Sequence, residues 1–345
     1  MGSAGKVFSG ASGIFFVDRG KRVAKSLCIS NPDVARVAAE NMIHFVSSNP
    51  ETDIIDLWIT DADEWCECLP CKKMEPLTRL TIEGAKSESK SDSAVQFVNA
   101  VANEFGKKYP KILINFLAYA RVIDAPIRTK PAPNVLVGYA PISRAAIKQS
   151  SSRSGYYSPL YDKADKLNRA YLEEMDKWLN LTKNFYPYDY YTLWQSLGRS
   201  RSKLHKSVMQ FFPIIETMGQ DTWYYRYRGI SRVSTEQFDW PELNMYAYAC
   251  LMWDPNQSVQ QIIEGYCRKY YGPAEAPMLS HWLALEQAKG DWKNRNAECL
   301  GYIEQAKKLT SDPAVLSRID RVAQIWNGRT ADRPFRSIEP FPMED

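Results

Sequence analysis

The sequence predicts an α/β fold on a parallel sheet: a TIM-type (β/α) barrel, whole or incomplete, with a helical C-terminal extension. Three observations predict it. Short apolar runs (IIDLWI, ILINFLAYA, VLVGYA) alternate with amphipathic stretches, the pattern of β–α–β units. No run is followed by GxGxxG, or by GxxxxGK with Ser or Thr, so a nucleotide-binding sheet loses ground to a barrel. From Pro241 onward the pattern is entirely helical. About six strands can be counted where a closed barrel needs eight. Residues 1–272 are assigned to the barrel or partial barrel that carries the site. Residues 273–345 form the helical extension and a polar tail.

The elements follow in order. Asn31-Pro32 is a helix start, an N-cap with proline at the first helical position. Val34, Val37, Ala38, Met42, Ile43 and Val46 then recur at helical spacing to about Ser47. A strand is expected over 54–60, then a cysteine-bearing loop and a polar stretch. Val95, Val98, Ala102 and Phe105 mark one face of a second helix that stops near Pro110. Residues 112–120 read as a buried strand. Pro126, Pro131 and Pro133 require a loop before the strand at 135–140. A helix over 165–182 leads to FYPYDYYTLW (185–194), read as one strand ending in polar aromatics. Short strands at 209–215 and 230–236 flank a helix at 219–228.

Composition excludes several classes. The net charge of +4 is spread over mixed Lys, Arg, Asp and Glu with no basic block, so nucleic acid is not expected. No apolar run is long enough to cross a membrane. Residues 1–13 lack the apolar stretch of a signal peptide and read as an expression remnant or an internal start. Seven cysteines are too few for a disulfide-stapled fold and do not fix a compartment. Oligomeric state is open. The 20 Tyr and 10 Trp exceed the 13 Phe, and their flat faces with polar edges suit stacking on sugar rings. Large cores with amphipathic rims share that composition.

The chemistry concentrates where strands end. Asp61 closes the run DLWITD, with Asp63 and Glu64 just beyond. Glu236 ends a later strand and Asp189 another. Carboxylates converging from different strand ends can supply the acid and base of glycoside hydrolysis. Their bland alternative is solvated loop residues and a structural hydrogen-bond acceptor. Trp65, Tyr119, Tyr139, Tyr190, Tyr191 and Trp194 fall at or near strand ends, as substrate-binding faces or as packing at a barrel rim. Cys66, Cys68 and Cys71 form CxCxxC, and Cys28 precedes a helix at the same expected face. Structural zinc wants four such ligands. A four-thiolate metal site, a disulfide from Cys28 to a loop cysteine, and free buried thiols all stay open. His44, His205 and His281 sit in expected helices, which argues against Ser-His-Asp hydrolysis and a histidine-ligated catalytic metal.

Several motifs carry a family resemblance. FFVDRGKRV with LCISNPDV, ITDADEWCECLPC, SDSAVQFVNAVANEF with YPKILINFLAYA, PAPNVLV, and GISRVSTEQFDWPELNMYAYACLMWDP occur in order over about 14–280. The chain resembles the bacterial domain of unknown function 4838, often labelled alpha-glucuronidase-like. WCECxxC is the most specific part of the likeness. The domain occurs in glycoside hydrolase family 163, so the resemblance implies a (β/α)8-barrel glycosidase and a periplasmic or extracellular setting. Family members carry a further N-terminal α/β domain and the first barrel strands ahead of FFVDRGKRV. Here almost nothing precedes it, which implies a fragment, a truncated gene product or one part of an assembly. Ala62-Asp63-Glu64 stands where the family commonly has a small or Gly-rich stretch.

The expected function is therefore hydrolysis of an N-acetylhexosamine- or uronic-acid-containing glycan, with no cofactor required. Asp61 would engage the sugar or act as the acid, with Glu236 as its partner and Glu64 as a third carboxylate. Tyr119 and Tyr190 would orient the substrate, and Trp65 and Trp194 would stack on it. The alternative is a non-catalytic carbohydrate-binding or scaffold protein, or an inactive fragment of such an enzyme.

Overall fold

The computed structural model describes residues 15–59, 65–76, 88–141, 146–147, 159–162, 164–189, 191, 193–196, 207–210, 215–235, 242–288 and 295–327. The chain divides into two compact units, residues 1–143 with 166–189, and 144–165 with 190–345. This division runs through the segment that the sequence assigns to the barrel.

The first unit opens with a hairpin, β1 (Phe15–Asp18) and β2 (Lys21–Leu27). Arg19 and Gly20 both have positive φ, 47° and 77°, the two-residue turn that matches strand twist. Helix α1 (Pro32–Ser48) starts as expected, with the Asn31 side chain accepting from the Asp33 N–H at 2.9 Å. Then come β3 (Ile54–Asp56), α2 (Leu69–Met74), α3 (Ser91–Gly106), β4 (Leu113–Ala118) and β5 (Val135–Tyr139). A two-residue strand β6 (Ala146–Ile147) belongs to the second unit. Helix α4 (Lys166–Leu181) and β7 (Phe185–Asp189) complete the first.

Strands β3, β4, β5 and β7 form a parallel sheet in that order. The register pairs Asp56 with Asn115, Ala118 with Tyr139, and Gly138 with Tyr186. All five residues of β5 are buried, as expected of a strand covered on both faces. Trp178 of α4 is fully buried near Phe116, and its indole N–H donates to the Ile123 carbonyl at 2.9 Å.

One crossover has no α-helix. Between β4 and β5 the proline-bearing loop runs instead, as its prolines require. Its backbone groups are met by side chains from the neighbouring helices. Asp92 accepts from the Ile127 and Arg128 N–H groups at 2.8 and 2.9 Å, and Glu174 from the Ala125 N–H at 2.9 Å. Asn99 donates to the Lys130 carbonyl and accepts from the Ala132 N–H.

In the second unit β8 (Leu193–Ser196) pairs with β6 and, antiparallel, with β9 (Ser207–Gln210). The stretch 185–194 is thus two strands in two sheets, not one. Helix α5 (Ile215–Tyr227) begins earlier than its sequence suggests, at the end of the stretch read as a strand, and within the described residues 230–235 of the expected strand only β10 (Ser234–Thr235) is strand. Five helices follow: α6 (Glu242–Trp253), α7 (Val259–Tyr271), α8 (Glu275–Ala288), α9 (Asn296–Lys308) and α10 (Pro313–Asn327). Among the described residues no helix is long and apolar enough to cross a membrane.

Candidate functional site

Side chains alternate between the two faces of a strand, so register decides what each residue can reach. On one face of the parallel sheet stand Ile114, Phe116, Ala118, Val135, Val137, Tyr139 and Phe185, all buried and nearly all apolar. The opposite face carries Leu113, Leu117 and Leu136 and, among them, Asp56, Asn115, Gly138 and Tyr186, with Tyr188 at the next position of the same parity. There a hydrogen-bonded line crosses the strands. The Tyr186 hydroxyl donates to Asn115 Oδ1 at 2.9 Å, and Asn115 Nδ2 donates to Asp56 Oδ1 at 2.7 Å. Gly138 is what lets the tyrosine cross β5: a Cβ there would meet the Tyr186 hydroxyl oxygen at 2.6 Å. Beside this line Trp58 meets Tyr188 edge-to-face, with ring centroids 5.8 Å apart. Burial pushes the Tyr186 hydroxyl up, to about 12, with the Asp56 charge adding to it and the Asn115 hydrogen bond opposing it. At neutral pH this group is therefore a fixed donor, which sets the orientation of the Asn115 amide and hence its donation to Asp56.

A second cluster lies at the start of the unit. Cys28, just after β2, meets Cys66 and Cys68 from the loop that leads into α2 and Cys71 from the first turn of that helix. The four sulfurs all lie within 4.8 Å of one another. Cys28 Sγ is 3.6 Å from Cys68 Sγ and 3.8 Å from Cys71 Sγ. The Ser30 hydroxyl sits among them, 3.0 Å from Cys71 Sγ and 3.6 Å from Cys68 Sγ. The Val17 N–H donates to Cys66 Sγ at 3.2 Å, and the Glu67 N–H to the Val17 carbonyl at 2.8 Å. Burial pushes the Cys66 and Cys71 thiols up. Burial acts in the same sense on Cys68, but hydrogen bonds from the Cys71 N–H, Ser30 and the adjacent thiols outweigh it and bring that thiol down to about 7. The described cysteines are free thiols.

The sequence profile described as Domain of unknown function (DUF4838) matches residues 13–284. The chain belongs to this family. The match takes in every described element of the first unit and the second unit as far as α8. Comparison with curated proteins and with solved structures gives no match.

Within this DUF4838 chain the residues singled out by sequence are placed as follows. Asp61, Glu64, Tyr190 and Glu236 lie outside the described residues, and Trp194 has its backbone in β8 but its side chain outside the description. Trp65 is half-buried immediately before Cys66. Tyr119 is half-buried directly after β4, followed by Ala120 in the left-handed region at φ 49°. Such a turn is strained for a residue with a Cβ. Tyr139 and Asp189 end β5 and β7 with the parity of the apolar face, and both are fully buried. The Tyr139 hydroxyl donates to the Tyr171 carbonyl of α4 at 2.9 Å. Tyr191 is buried in the second unit, against Tyr248, and donates to Asp221 at 3.3 Å. The four cysteines are brought together. Sequence reasoning passed over Asp56, Trp58, Asn115, Tyr186 and Tyr188. Their signal is polar or amphipathic residues at alternate positions of otherwise apolar strands.

Proposed function

We propose that this protein is a glycoside hydrolase of the (β/α)-barrel type that holds an N-acetylhexosamine- or uronic-acid-containing glycan against the polar face of its sheet. The line Tyr186–Asn115–Asp56 beside Trp58 and Tyr188 carries this reading. A pyranose ring offers an apolar face and several hydroxyl donors. Aromatic rings next to a rigidly oriented carboxylate match both. Asp56 is exposed, and its Oδ1 is fixed by the Asn115 amide while Oδ2 is left for a sugar hydroxyl. Asn115 and Tyr186 are buried and satisfied by this line, which holds the exposed Asp56 carboxylate in a fixed orientation.

The strand order supports a barrel. It runs β3-β4-β5-β7 without the reversal that marks the ligand crevice of a doubly wound sheet. In a barrel the chemistry sits at the carboxyl ends of the strands, and the segments leaving β3 and β4 there lead to Asp61 and Tyr119. The acid and base of hydrolysis are assigned to Asp61 and Glu236.

The test is hydrolysis of p-nitrophenyl N-acetyl-β-glucosaminide, a p-nitrophenyl uronide and a complex N-glycan, with calorimetric binding of the same sugars. Glu236→Gln is expected to bind but not turn over. Asp56→Asn should weaken sugar binding about 10-fold, the worth of one hydrogen bond to a charged group. Binding with no turnover of any substrate by the unaltered chain would leave a carbohydrate-binding protein. Neither binding nor turnover would overturn the reading.

A further inference from the structure

We propose that Cys28, Cys66, Cys68 and Cys71 bind one zinc ion as four thiolates, an ion that ties the N-terminal hairpin to the segment carrying Trp65. The sulfur separations fit a tetrahedral site. With zinc–sulfur bonds of about 2.3 Å, tetrahedral ligands stand about 3.8 Å apart. Cys28 Sγ already lies 3.6 and 3.8 Å from the sulfurs of Cys68 and Cys71, and the whole quartet falls within 4.8 Å.

The ligands come from separate places in the chain, as a clamp requires. Cys28 follows β2, Cys66 and Cys68 lie in a loop without regular structure, and Cys71 is in the first turn of α2. The surroundings suit thiolates. A backbone N–H reaches Cys66 from Val17, and the Ser30 hydroxyl sits within 3.6 Å of three sulfurs, at 3.4 Å from Cys28. Groups of this kind orient metal ligands and stabilise their charge. The backbone is already drawn together there by the Glu67 N–H on the Val17 carbonyl and the Arg19 N–H on the Glu67 carboxylate. With four sulfur donors and no histidine, the set leaves no open position for a catalytic water, so the ion is structural. It fixes the backbone one residue after Trp65.

The experiment uses the full chain, purified without a histidine tag and without chelators. Elemental analysis should find one zinc per chain. Cys68→Ser and Cys71→Ser should lose it, and Cys250→Ser, whose thiol lies outside the cluster, should keep it. Ser30→Ala should weaken zinc retention against a chelator about tenfold. If the ligand variants do not fold, cobalt substitution of the unaltered chain decides: thiolate-to-cobalt charge-transfer bands and intense visible bands of a tetrahedral sulfur site are expected. Folded, metal-free protein with four reactive thiols would overturn the proposal. So would a mass lower by two hydrogens, which reports a disulfide, or the visible colour of bound iron. None of these readouts depends on glycan binding, so this proposal and the glycosidase reading stand or fall separately.

Discussion

The two faces of the parallel sheet are made by the same strands and differ in almost everything else. One is closed and, apart from Asp189 at the end of β7, made of apolar and aromatic side chains, with Phe116 near Trp178, and Tyr139 between Tyr171 and Phe185. The other has an acid, an amide and a phenol in line, with an indole against a second phenol at its side. Alternation alone sorts them. A tyrosine at 139 is a core residue whose hydroxyl satisfies a helix carbonyl, while a tyrosine at 186 is a donor in a polar line. Being near a strand end therefore says less about function than which way the side chain points. One face contributes stability; the other is where the proposed function places the sugar.

That contrast can be broken by substitution. The largest effect is expected on the closed face. Trp178→Ala removes a fully buried indole and leaves the Ile123 carbonyl without its donor, and should lower unfolding free energy by about 4 kcal/mol in denaturant titrations. Sugar affinity of the folded fraction should be unchanged. A shift in that affinity would mean the faces are not separable.

The next effect is on the polar face at alkaline pH. Tyr186 has its folded pKa raised to about 12 from 10.0, so its contribution is fully present below pH 10 and is lost as pH rises through 12. The unfolded chain ionises first, and the cost accumulates to about 3 kcal/mol. Stability curves of the protein and of Tyr186→Phe should diverge in that window. Parallel curves would show that the phenol is not held as described.

Gly138→Ala is smaller. Its Cβ would meet the Tyr186 ring carbons at 2.7 and 3.0 Å, so the ring must shift, at about 2 kcal/mol. Adding Tyr186→Ala should recover much of the penalty, since the two changes share one contact. Simple additivity would contradict the close approach of these residues.

The sequence made much of the frame legible. Asn31-Pro32 announced α1, the spacing of Val95, Val98, Ala102 and Phe105 gave α3, and the prolines at 126, 131 and 133 marked a crossover without an α-helix. These are local signals, carried by capping, periodicity and a fixed φ. The division of 185–194 between two sheets was not legible, because FYPYDYYTLW reads as one aromatic strand and only its partners separate β7 from β8. The polar line was hidden for a related reason. Asp56 and Asn115 lie 59 residues apart, and nothing local says that they pair in register. The meeting of Cys28 with CxCxxC was easier to see, because Cys28 was expected at the same face as that motif, and the four sulfurs lie within 4.8 Å of one another.

The most direct measurement is a calorimetric titration of the folded chain with the N-acetylhexosamine- or uronic-acid-containing oligosaccharides proposed as its substrates, repeated on Asp56→Asn. The polar-face account predicts an affinity about 10-fold weaker with the unfolding free energy changed by at most about 1 kcal/mol, since the exposed acid contributes one hydrogen bond to the fold. Equal affinity in the two proteins would contradict it and move the glycan away from this face of the sheet.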